Sequence, residues 1–437
     1  MGQSSPRHQG PHLAGTFGML DLATPFIDEL VRARRAGHTL PAGLYTRADA
    51  FERDLEVFFH RQWIYAGLEA ELPAPGDLNA IDVGAASAIL IRGDDGALRA
   101  FHNVCRHRGA RLREAGKGSA RRIVCPYHQW TYERNGDLFR APHMGSTFDR
   151  TCHGLRAVHL RAVAGLLFIC FADEPPADFA ELEAAMVPRL APYDLRNAKV
   201  AFEKDIVEDG NWKLTMENNR ECYHCASGHP ELGATFVAQD FGFDPQELSP
   251  QARLEAGERQ AEFARRSAAW EASGHPSRAI DHLEGHATNF RTERLMMGHD
   301  GEAQSATLDG KPACRKLLGG LARADLGDLH FWTHHTWHHY FADHAVISAA
   351  IPIAPGKTRV RTQWLVHGEA VEGVDYDLEN LTRVWKATND QDARFVGIAH
   401  RGVSDPGYRP GPYSPFTEGY LDGFAAWYVE RMEAAGG

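Results

Sequence analysis

Long apolar runs and an excess of basic residues are both missing from this chain. Nowhere do about eighteen apolar residues follow one another without interruption, which is the length that a membrane-spanning helix needs. The first residues, MGQSSPRHQGPHLAGTFGML, lack the charged start and apolar segment of an export signal. The 47 Lys and Arg residues are outnumbered by 58 Asp and Glu residues, for a formal net charge of -11. We therefore expect a cytoplasmic protein without membrane or nucleic-acid partners, since phosphate binding needs clustered cations.

Cysteine is scarce as well, and the seven cysteines do not form an evenly spaced disulfide framework. Four of them stand near histidines instead: Cys105, Cys125, Cys222 and Cys225. No glycine-rich fingerprint for a flavin or a nicotinamide is present, so electrons for any redox reaction must come from a separate donor. With 437 residues, 43% of them hydrophobic and 24% charged, the chain is long enough for two or three globular domains.

Two cysteine-histidine pairs carry the strongest chemical signal. Cys105-Arg106-His107 and Cys125-Pro126-Tyr127-His128 are separated by seventeen residues. Two thiolates can hold one iron of a [2Fe-2S] cluster while two imidazoles hold the other. A structural zinc site is the alternative, but zinc modules usually place two ligands of one kind about two to four residues apart, whereas each pair here has one of each. The spacing therefore predicts a Rieske cluster held by Cys105, His107, Cys125 and His128.

Apolar periodicity divides the chain into three parts. Residues 1–40 form a Gly-, Pro- and His-dotted arm, residues 41–175 a small antiparallel β-domain with the Rieske pairs, and residues 176–437 a catalytic domain. In the third part we expect strands at 199–209 and within 328–367, and helices at 179–190, 250–272, 375–399 and 417–434. Another helix is expected from Asn211 to Gly228. The fold class is therefore α+β, with helices against an antiparallel sheet.

The segment that follows Asn211 holds a second set of metal-binding residue types. Glu221 and His224 are three residues apart, so they share a face of the expected helix. His229 lies five residues further, at the end of that helix, where its side chain can turn back towards the same ion. Two neutral imidazoles and one carboxylate on one face of Fe(II) leave positions open for dioxygen and substrate.

The Rieske pairs, Asn211-Trp212-Lys213 and the pattern Glu-x-x-His-x(4)-His together resemble the large subunit of the Rieske non-haem iron oxygenases, from about residue 40 onwards. The resemblance implies that His224 and His229 bind the mononuclear iron. It also implies that Glu221 connects this iron to the Rieske cluster of a neighbouring subunit.

The family's third iron ligand is a carboxylate on a C-terminal helix. The resemblance places it eight residues before His400, which is Asp392, and Asp390 is the alternative, two residues earlier on another helix face. Where many members of the family have Glu and Gln, this chain has Gly397 and His400.

Several longer strings are similar to the glycine betaine and stachydrine demethylase group, including ENNRECYHC at 217–225 and TNDQD at 388–392. The resemblance implies a terminal oxygenase that hydroxylates an N-methyl group of a betaine with O2, so that formaldehyde is released. Its electrons would come from a flavin and iron-sulfur reductase, and thus from NAD(P)H only indirectly, and its subunits would form a homotrimer. The alternatives are hydroxylation of an aromatic or other non-betaine substrate and pure electron transfer, which needs only the first domain.

Aromatic side chains are expected to hold the quaternary ammonium through cation-π attraction. The candidates are Trp332, Trp337, Tyr340 and Phe341. The histidines around them are expected at the surface and in the pocket wall rather than in a third metal site: His330, His334, His335, His338 and His339. Cys222 and Cys225 are expected to pack as small apolar residues.

Overall fold

The computed structural model describes residues 24–436, and two seven-stranded antiparallel sheets with helices against them make up most of this part. The predicted α+β class is therefore confirmed. Residues 1–23, most of the predicted arm, lie outside the described residues. The rest of the arm contains helix α1 (Thr24–Arg32), which packs against the C-terminal helix of the same chain.

The first sheet is built from seven short strands in the N-terminal half of the chain. They are β1 (Ile64–Leu68), β2 (Asp77–Val83), β3 (Ala86–Arg92), β4 (Leu98–His102), β5 (Gly116–Ser119), β9 (Ala157–Val163) and β10 (Leu166–Cys170). Their order is β1-β10-β9-β4-β3-β2-β5. A separate three-stranded sheet consists of β6 (Ile123–Val124), β7 (Thr131–Tyr132) and β8 (Leu138–Arg140). Ile89, Phe101 and Trp130 form a common core with the two Rieske cysteines, so the cluster loops are anchored on a packed base.

The second sheet is built from strands between residues 199 and 366. Its strands are β11 (Lys199–Glu208), β12 (Ile280–His282), β13 (Phe290–Leu295), β14 (Asp328–Thr333), β15 (Thr336–Tyr340), β16 (His344–Ala354) and β17 (Lys357–Val366). Their order is β11-β17-β16-β15-β14-β13-β12, and every pair is antiparallel. The strands predicted at 199–209 and within 328–367 are confirmed. The β-branched and aromatic residues of this region favour such strands because they pack well on a pleated surface.

Helices cover the second sheet and connect it to the first. Besides α1 they are α2 (Ala42–Thr46), α3 (Ala48–Asp54), α4 (Phe179–Leu190), α5 (Trp212–Asn218), α6 (Cys225–Gly228), α7 (Pro250–Ala272), α8 (Leu378–Val403) and α9 (Gly419–Gly436). The helices predicted at 179–190 and 250–272 have the predicted bounds, and the Ser249 side chain caps α7 by accepting from the Ala252 amide at 3.1 Å. Helix α8 buries one face against α5 and β11. Among the described helices, none is both long enough and apolar enough to cross a membrane.

The single helix expected from Asn211 to Gly228 is wrong, because the chain forms two helices there. Helix α5 ends at Asn218 and α6 begins only at Cys225. The Asn219 side chain donates to the carbonyl of Thr215 at 2.9 Å, and asparagines that bond to the backbone in this way favour turns over continued helix. Glu221 and His224 therefore lie in the turn between the two helices rather than on a shared helix face.

The segment from α2 to residue 60 packs on helices of the C-terminal half. The buried carboxylate of Asp54 accepts from the Trp212 indole at 2.9 Å and from the Tyr428 hydroxyl at 2.7 Å, and it pairs with the buried ammonium of Lys213. The predicted first domain, 41–175, thus begins with elements that pack on the second, and the boundary between 175 and 176 stays a prediction. The Asp54 network ties the N-terminal helices to α5, the helix that leads into the predicted metal site.

Candidate cluster site and metal centre

Two loops with the same backbone pattern carry the predicted cluster ligands. In each loop, the amide four residues after the cysteine donates to the cysteine carbonyl at 3.1 Å, from Gly109 and from Gln129. The cysteine amide in turn donates to the carbonyl five residues on, in Ala110 and in Trp130, at 2.8 Å. Gly109 and Gln129 both have positive φ, 72° and 59°, in the left-handed region that Gly adopts without strain. The two cysteine-histidine pairs are therefore held in matching turns.

The side chains in these turns have the arrangement that a [2Fe-2S] cluster requires. Cys105 and Cys125 are buried beside each other without a disulfide between them, and burial raises the pKa of the Cys105 thiol. The ring centroids of His107 and His128 lie 4.7 Å apart, and Nδ1 of His107 is buried without a hydrogen-bond partner among the described residues. A buried thiol pair needs a positive ion to become thiolate, and the orphaned ring nitrogen needs a ligand. The four residues therefore fit the cluster that we predict for them.

The second predicted site brings three ligand atoms together. Nε2 of His224 and Nε2 of His229 are 3.0 Å apart, and Oδ1 of Asp392 lies 3.4 Å from the first and 3.0 Å from the second. With metal-ligand bonds of about 2.1 Å, neighbouring ligands of an octahedral ion lie about 3.0 Å apart. Two imidazoles and one carboxylate could thus hold a metal ion together.

Each of these three side chains also contacts a further polar side chain at hydrogen-bond distance. Nδ1 of His224 lies 2.6 Å from Oε1 of Glu221, and Nδ1 of His229 lies 2.8 Å from Oε1 of Gln391. Because both Nδ1 atoms have an acceptor, they carry the protons, and both Nε2 atoms are free to bind a metal. The Asn218 side chain donates to Oδ1 of Asp392 at 2.6 Å and orients the third ligand. Sequence reasoning did not identify Gln391 or Asn218, although Gln391 directly precedes Asp392.

Asp392, and not Asp390, is the carboxylate that meets the histidines. Asp392 is buried, whereas the Asp390 side chain is 59% exposed and pairs with Lys204 at 2.7 Å. Cys225 also lies near the two imidazoles, but the expectation that Cys222 and Cys225 pack as separate apolar residues is wrong. The two form a disulfide across the turn that contains His224, so the sulfur of Cys225 cannot act as a thiolate ligand.

The charges around the three ligand atoms favour a cation. Burial alone would raise the pKa of Asp392, but the two histidines outweigh burial and hold that pKa below its usual range. Burial lowers the pKa of His224, yet Asp392 and Glu221 outweigh it and raise the pKa to about 9. Two carboxylates thus hold a proton at an imidazole in this site, and a divalent metal would replace that proton.

A narrow cavity lined by aromatic rings adjoins the three ligand atoms. Its aromatic lining consists of Phe236, Phe241, Trp332, Trp337 and Trp385. Of the predicted aromatic candidates, Trp332 and Trp337 are therefore in the cavity, whereas Tyr340 and Phe341 pack in the protein core. Sequence reasoning missed Trp385, which precedes Asp392 by seven residues on α8. Two helical turns separate them, so a shared face could have been inferred.

The histidine-rich strands lie in the protein interior. The expectation that some of their histidines are at the surface is therefore wrong. All five histidines are buried. His330 and His339 line the aromatic cavity, as expected for a pocket wall. His334, His335 and His338 are not among the residues that line it.

Glu221 lines both the aromatic cavity and a second cavity of about 370 Å³, and Asn218 also lines both. The second cavity is lined in part by Tyr45, Glu217, Tyr413 and Glu418. The carboxylate that contacts His224 is therefore accessible from a side that does not face the aromatic rings.

Two family models match the chain. Residues 62–159 match the Rieske [2Fe-2S] domain, and residues 195–434 match the catalytic domain of the ring hydroxylating alpha subunit. The cluster loops lie within the first match, and all three converging ligands lie within the second.

Among known proteins, the glycine betaine monooxygenase oxygenase subunit of Chromohalobacter salexigens is 40% identical over 92% of this chain and 88% of its own length. The corresponding subunit of Pseudomonas aeruginosa is 40% identical over 92% of this chain and 91% of its own length. The carnitine monooxygenase oxygenase subunit of Escherichia coli is 35% identical, over 44% of this chain and 52% of its own length.

Solved structures share the fold. A quaternary ammonium Rieske monooxygenase with γ-butyrobetaine bound superimposes with a TM-score of 0.65 at 20% identity, over 93% of this chain and 98% of its own. Naphthalene 1,2-dioxygenase from Rhodococcus superimposes with a TM-score of 0.65 at 17% identity, over 94% of this chain and 98% of its own. By these matches the chain belongs to the Rieske ring-hydroxylating oxygenases, as an alpha subunit with a [2Fe-2S] cluster and a mononuclear iron.

Proposed function

We propose that this chain is the terminal oxygenase component of an enzyme that removes an N-methyl group from glycine betaine or a related quaternary ammonium compound. The observation that carries the proposal is the aromatic cavity, in which three tryptophans and two phenylalanines lie next to the three converging ligand atoms. The two glycine betaine monooxygenase subunits with 40% identity over most of the chain support the same substrate class.

The proposed reaction is hydroxylation of the methyl carbon. One oxygen atom of O2 enters a C–H bond, the other leaves as water, and the balance requires two electrons and two protons from outside the substrate. The resulting N-hydroxymethyl ammonium breaks its C–N bond, so that formaldehyde, a proton and a tertiary amine are released. When bound, the iron supplies O2 activation and the cluster supplies electrons one at a time.

The cavity suits a cation that has no proton to donate. A quaternary ammonium cannot form hydrogen bonds through its nitrogen, so aromatic faces are its best partners, at about 0.5–2 kcal/mol for each ring. Trp332 and Trp337 are direct cross-strand neighbours on β14 and β15, and Trp385 lies on α8 with Asp392. Rings from the sheet and from the helix can therefore enclose the cation beside the metal ligands.

Electrons would come from a separate flavin and iron-sulfur reductase, because the sequence has no fingerprint for either nucleotide cofactor. NAD(P)H would thus serve only indirectly. The cluster loops suit such a donor because their tips, which include Arg106, Arg108 and Tyr127, are exposed. An electron therefore has a short path from a docked protein to the cluster histidines.

Glu221 would carry electrons between subunits of a homotrimer. It contacts Nδ1 of His224 and lines the second cavity, so a cluster histidine of a neighbouring subunit could reach its carboxylate from that side. A head-to-tail ring of subunits places each cluster at the next subunit's iron, and a trimer is the simplest such ring.

Hydroxylation of an aromatic substrate is the second candidate. A salicylate 5-hydroxylase large component of Ralstonia is 34% identical, although over only 42% of this chain. Gly397 and His400, which depart from the family pattern, are not among the residues that line the aromatic cavity. The lining of the cavity therefore gives no reason to prefer an aromatic substrate on account of these two residues.

Formaldehyde release across a panel of N-methyl compounds and aromatic acids, with a surrogate reductase, tests the proposal. We expect product and formaldehyde from betaines, and hydroxylated product from an aromatic acid alone would favour the second candidate. His224→Ala should lose mononuclear iron and product but keep the visible Rieske spectrum. His159→Ala, which removes an exposed histidine on β9, is the matched control. It should keep the mononuclear iron, the product and the Rieske spectrum.

A further inference from the structure

We propose that Asp328, His330 and His339 form a carboxylate-binding subsite at one end of the aromatic cavity. The inference deepens the proposed function, on which it rests, because it states how the cavity would tell a betaine from a cation that lacks a carboxylate. All three side chains are buried, and none of them is a ligand of the cluster site or the metal centre.

Strand register places the two imidazoles side by side. His330 on β14 and His339 on β15 are direct partners in the antiparallel pair, and their ring centroids are 4.4 Å apart. Asp328 precedes His330 by two residues and so lies on the same face of β14. Oδ2 of Asp328 is 2.7 Å from Nδ1 of His339 and 2.5 Å from Nε2 of His330, the latter without hydrogen-bond alignment.

Asp328 gives this group a buried negative charge. Burial alone would raise its pKa, but the two imidazoles hold the pKa of Asp328 well below its usual range. Within residues 24–436, its ion pairs are those with these two histidines. Burial lowers the pKa of His339 to about 4 even with Asp328 beside it. The Asp328 carboxylate thus contacts both imidazoles, and both of these rings line the cavity.

Several ring nitrogens of cavity-lining residues have no hydrogen-bond partner among residues 24–436. They are Nδ1 of His330 and the indole nitrogens of Trp337 and Trp385, and all three are buried. A buried donor without an acceptor costs free energy, about 1–3 kcal/mol each, and a ligand carboxylate would supply acceptor oxygens. The unused indole donors thus favour an anionic group in the cavity.

The proposed subsite and the metal centre share one cavity. His330 and His339 line it together with the three converging ligand residues, and the rings of His339 and Trp385 are 3.9 Å apart. The cavity therefore connects the two groups of residues.

A metal ion is the competing occupant, because Asp328, His330 and His339 are close enough to hold one. Both histidine nitrogens, however, contact a single carboxylate oxygen at 2.5–2.7 Å. These separations are shorter than the separation of about 3.0 Å between neighbouring ligands of one ion. A metal ion here would therefore require the two imidazoles to move away from that oxygen.

Calorimetric binding to the anaerobic holoenzyme tests the subsite with three compounds. Glycine betaine has both charges, choline has the cation with a hydroxymethyl group in place of the carboxylate, and 3,3-dimethylbutanoate has the carboxylate without the cation. His330→Asn should weaken binding of both carboxylates by about 10–100-fold and change choline binding by less than about twofold. His330→Gln, whose longer amide can still donate, should recover part of the loss.

His338→Asn is the matched control, since His338 is a neighbouring buried histidine that contacts the Tyr340 hydroxyl outside the cavity. Equal loss for all three compounds, or no loss, would overturn the subsite. So would the disappearance of one metal equivalent in His330→Asn, which would indicate a metal instead. A wild-type protein that releases formaldehyde from no N-methyl compound would refute the proposed function, while selective loss of 3,3-dimethylbutanoate binding would still support the subsite.

Discussion

The side-chain oxygen of Gln391 lies 2.8 Å from Nδ1 of His229, which leaves Nε2 of that ring free at the metal position. The Gln391 amide nitrogen donates to Glu231 at 2.8 Å, and this contact determines which end of the amide faces the imidazole. Because Asp392 follows Gln391 on α8, one turn of helix supplies both a metal ligand and the residue that orients another ligand.

Gln391→Leu should lower the affinity of the mononuclear site for iron by about 10–100-fold, because His229 loses the acceptor that orients its ring. Gln391→Glu keeps an acceptor at that place and should lose less. Iron per protomer after dialysis against a weak chelator measures the effect, and the visible Rieske absorption shows that the cluster is intact. Full iron occupancy in the leucine variant would contradict this role.

Asp392→Asn and Asp390→Asn form a matched pair that tests the third ligand. We expect Asp392→Asn to lose mononuclear iron and product, because Asp392 supplies the only carboxylate oxygen within 3.4 Å of both Nε2 atoms among the described residues. Asp390→Asn removes only the ion pair with Lys204 near the surface, which is worth about 0–1 kcal/mol. This variant should keep the mononuclear iron and form product. Metal analysis and product assays decide, and equal behaviour of the two variants would contradict the geometry.

Regular elements of this protein could be predicted from local pattern. Helix α7 has the bounds 250–272 that its amphipathic sequence and Ser249-Pro250 start indicate, and the strands of the second sheet follow the apolar and aromatic runs. The break between α5 and α6 could not be predicted in this way. It depends on a side chain that bonds back to the preceding turn and on a disulfide, neither of which periodicity reports.

The proposed metal ligands could be predicted from the sequence, whereas the cavity could not. His224 and His229 follow from a local motif and Asp392 from the family resemblance, and the rotation of α8 on its neighbours then separates Asp392 from Asp390. Phe236 and Phe241 reach the cavity from irregular segments after α6, for which no period indicates a face. The pairing of His330 with His339 required the strand register.

Glu221→Gln should keep the iron and the Rieske spectrum but slow product formation by at least about tenfold, because the amide holds His224 less well and no longer carries the bridging charge. Reoxidation of the reduced cluster after addition of substrate and O2 measures the coupling directly. Glu418→Gln removes another acid that lines the second cavity and is the control for loss of charge. Unchanged cluster reoxidation in Glu221→Gln would exclude the bridging role.

Tyr132→Phe should lower the reduction potential of the cluster. The Tyr132 hydroxyl accepts from the Arg106 amide at 3.0 Å and lies 3.2 Å from the Cys105 sulfur, so its own hydrogen is directed to the sulfur. Loss of a hydrogen bond worth about 1 kcal/mol corresponds to about 40 mV for one electron. A redox titration followed by EPR measures the shift. Tyr127→Phe, at an exposed ring beside His128, is the control and should leave the potential unchanged.

Glu208→Gln should remove part of the pH dependence of stability. Burial, with the nearby Asp392 charge adding to it, raises the pKa of Glu208 to about 8 against the hydrogen bond from the Thr215 hydroxyl. An unfolded glutamate loses its proton near pH 4.5. The stabilisation from the folded, protonated acid is therefore complete below about pH 4.5 and is lost as the pH rises to about 8. The free energy of unfolding changes by roughly 5 kcal/mol over this range. Thermal midpoints of the variant relative to the wild type should therefore rise steadily between about pH 5 and about pH 8. Glu433→Gln, at an exposed position, should show no such trend, and a flat difference for Glu208→Gln would mean that Glu208 is ionised in the folded protein.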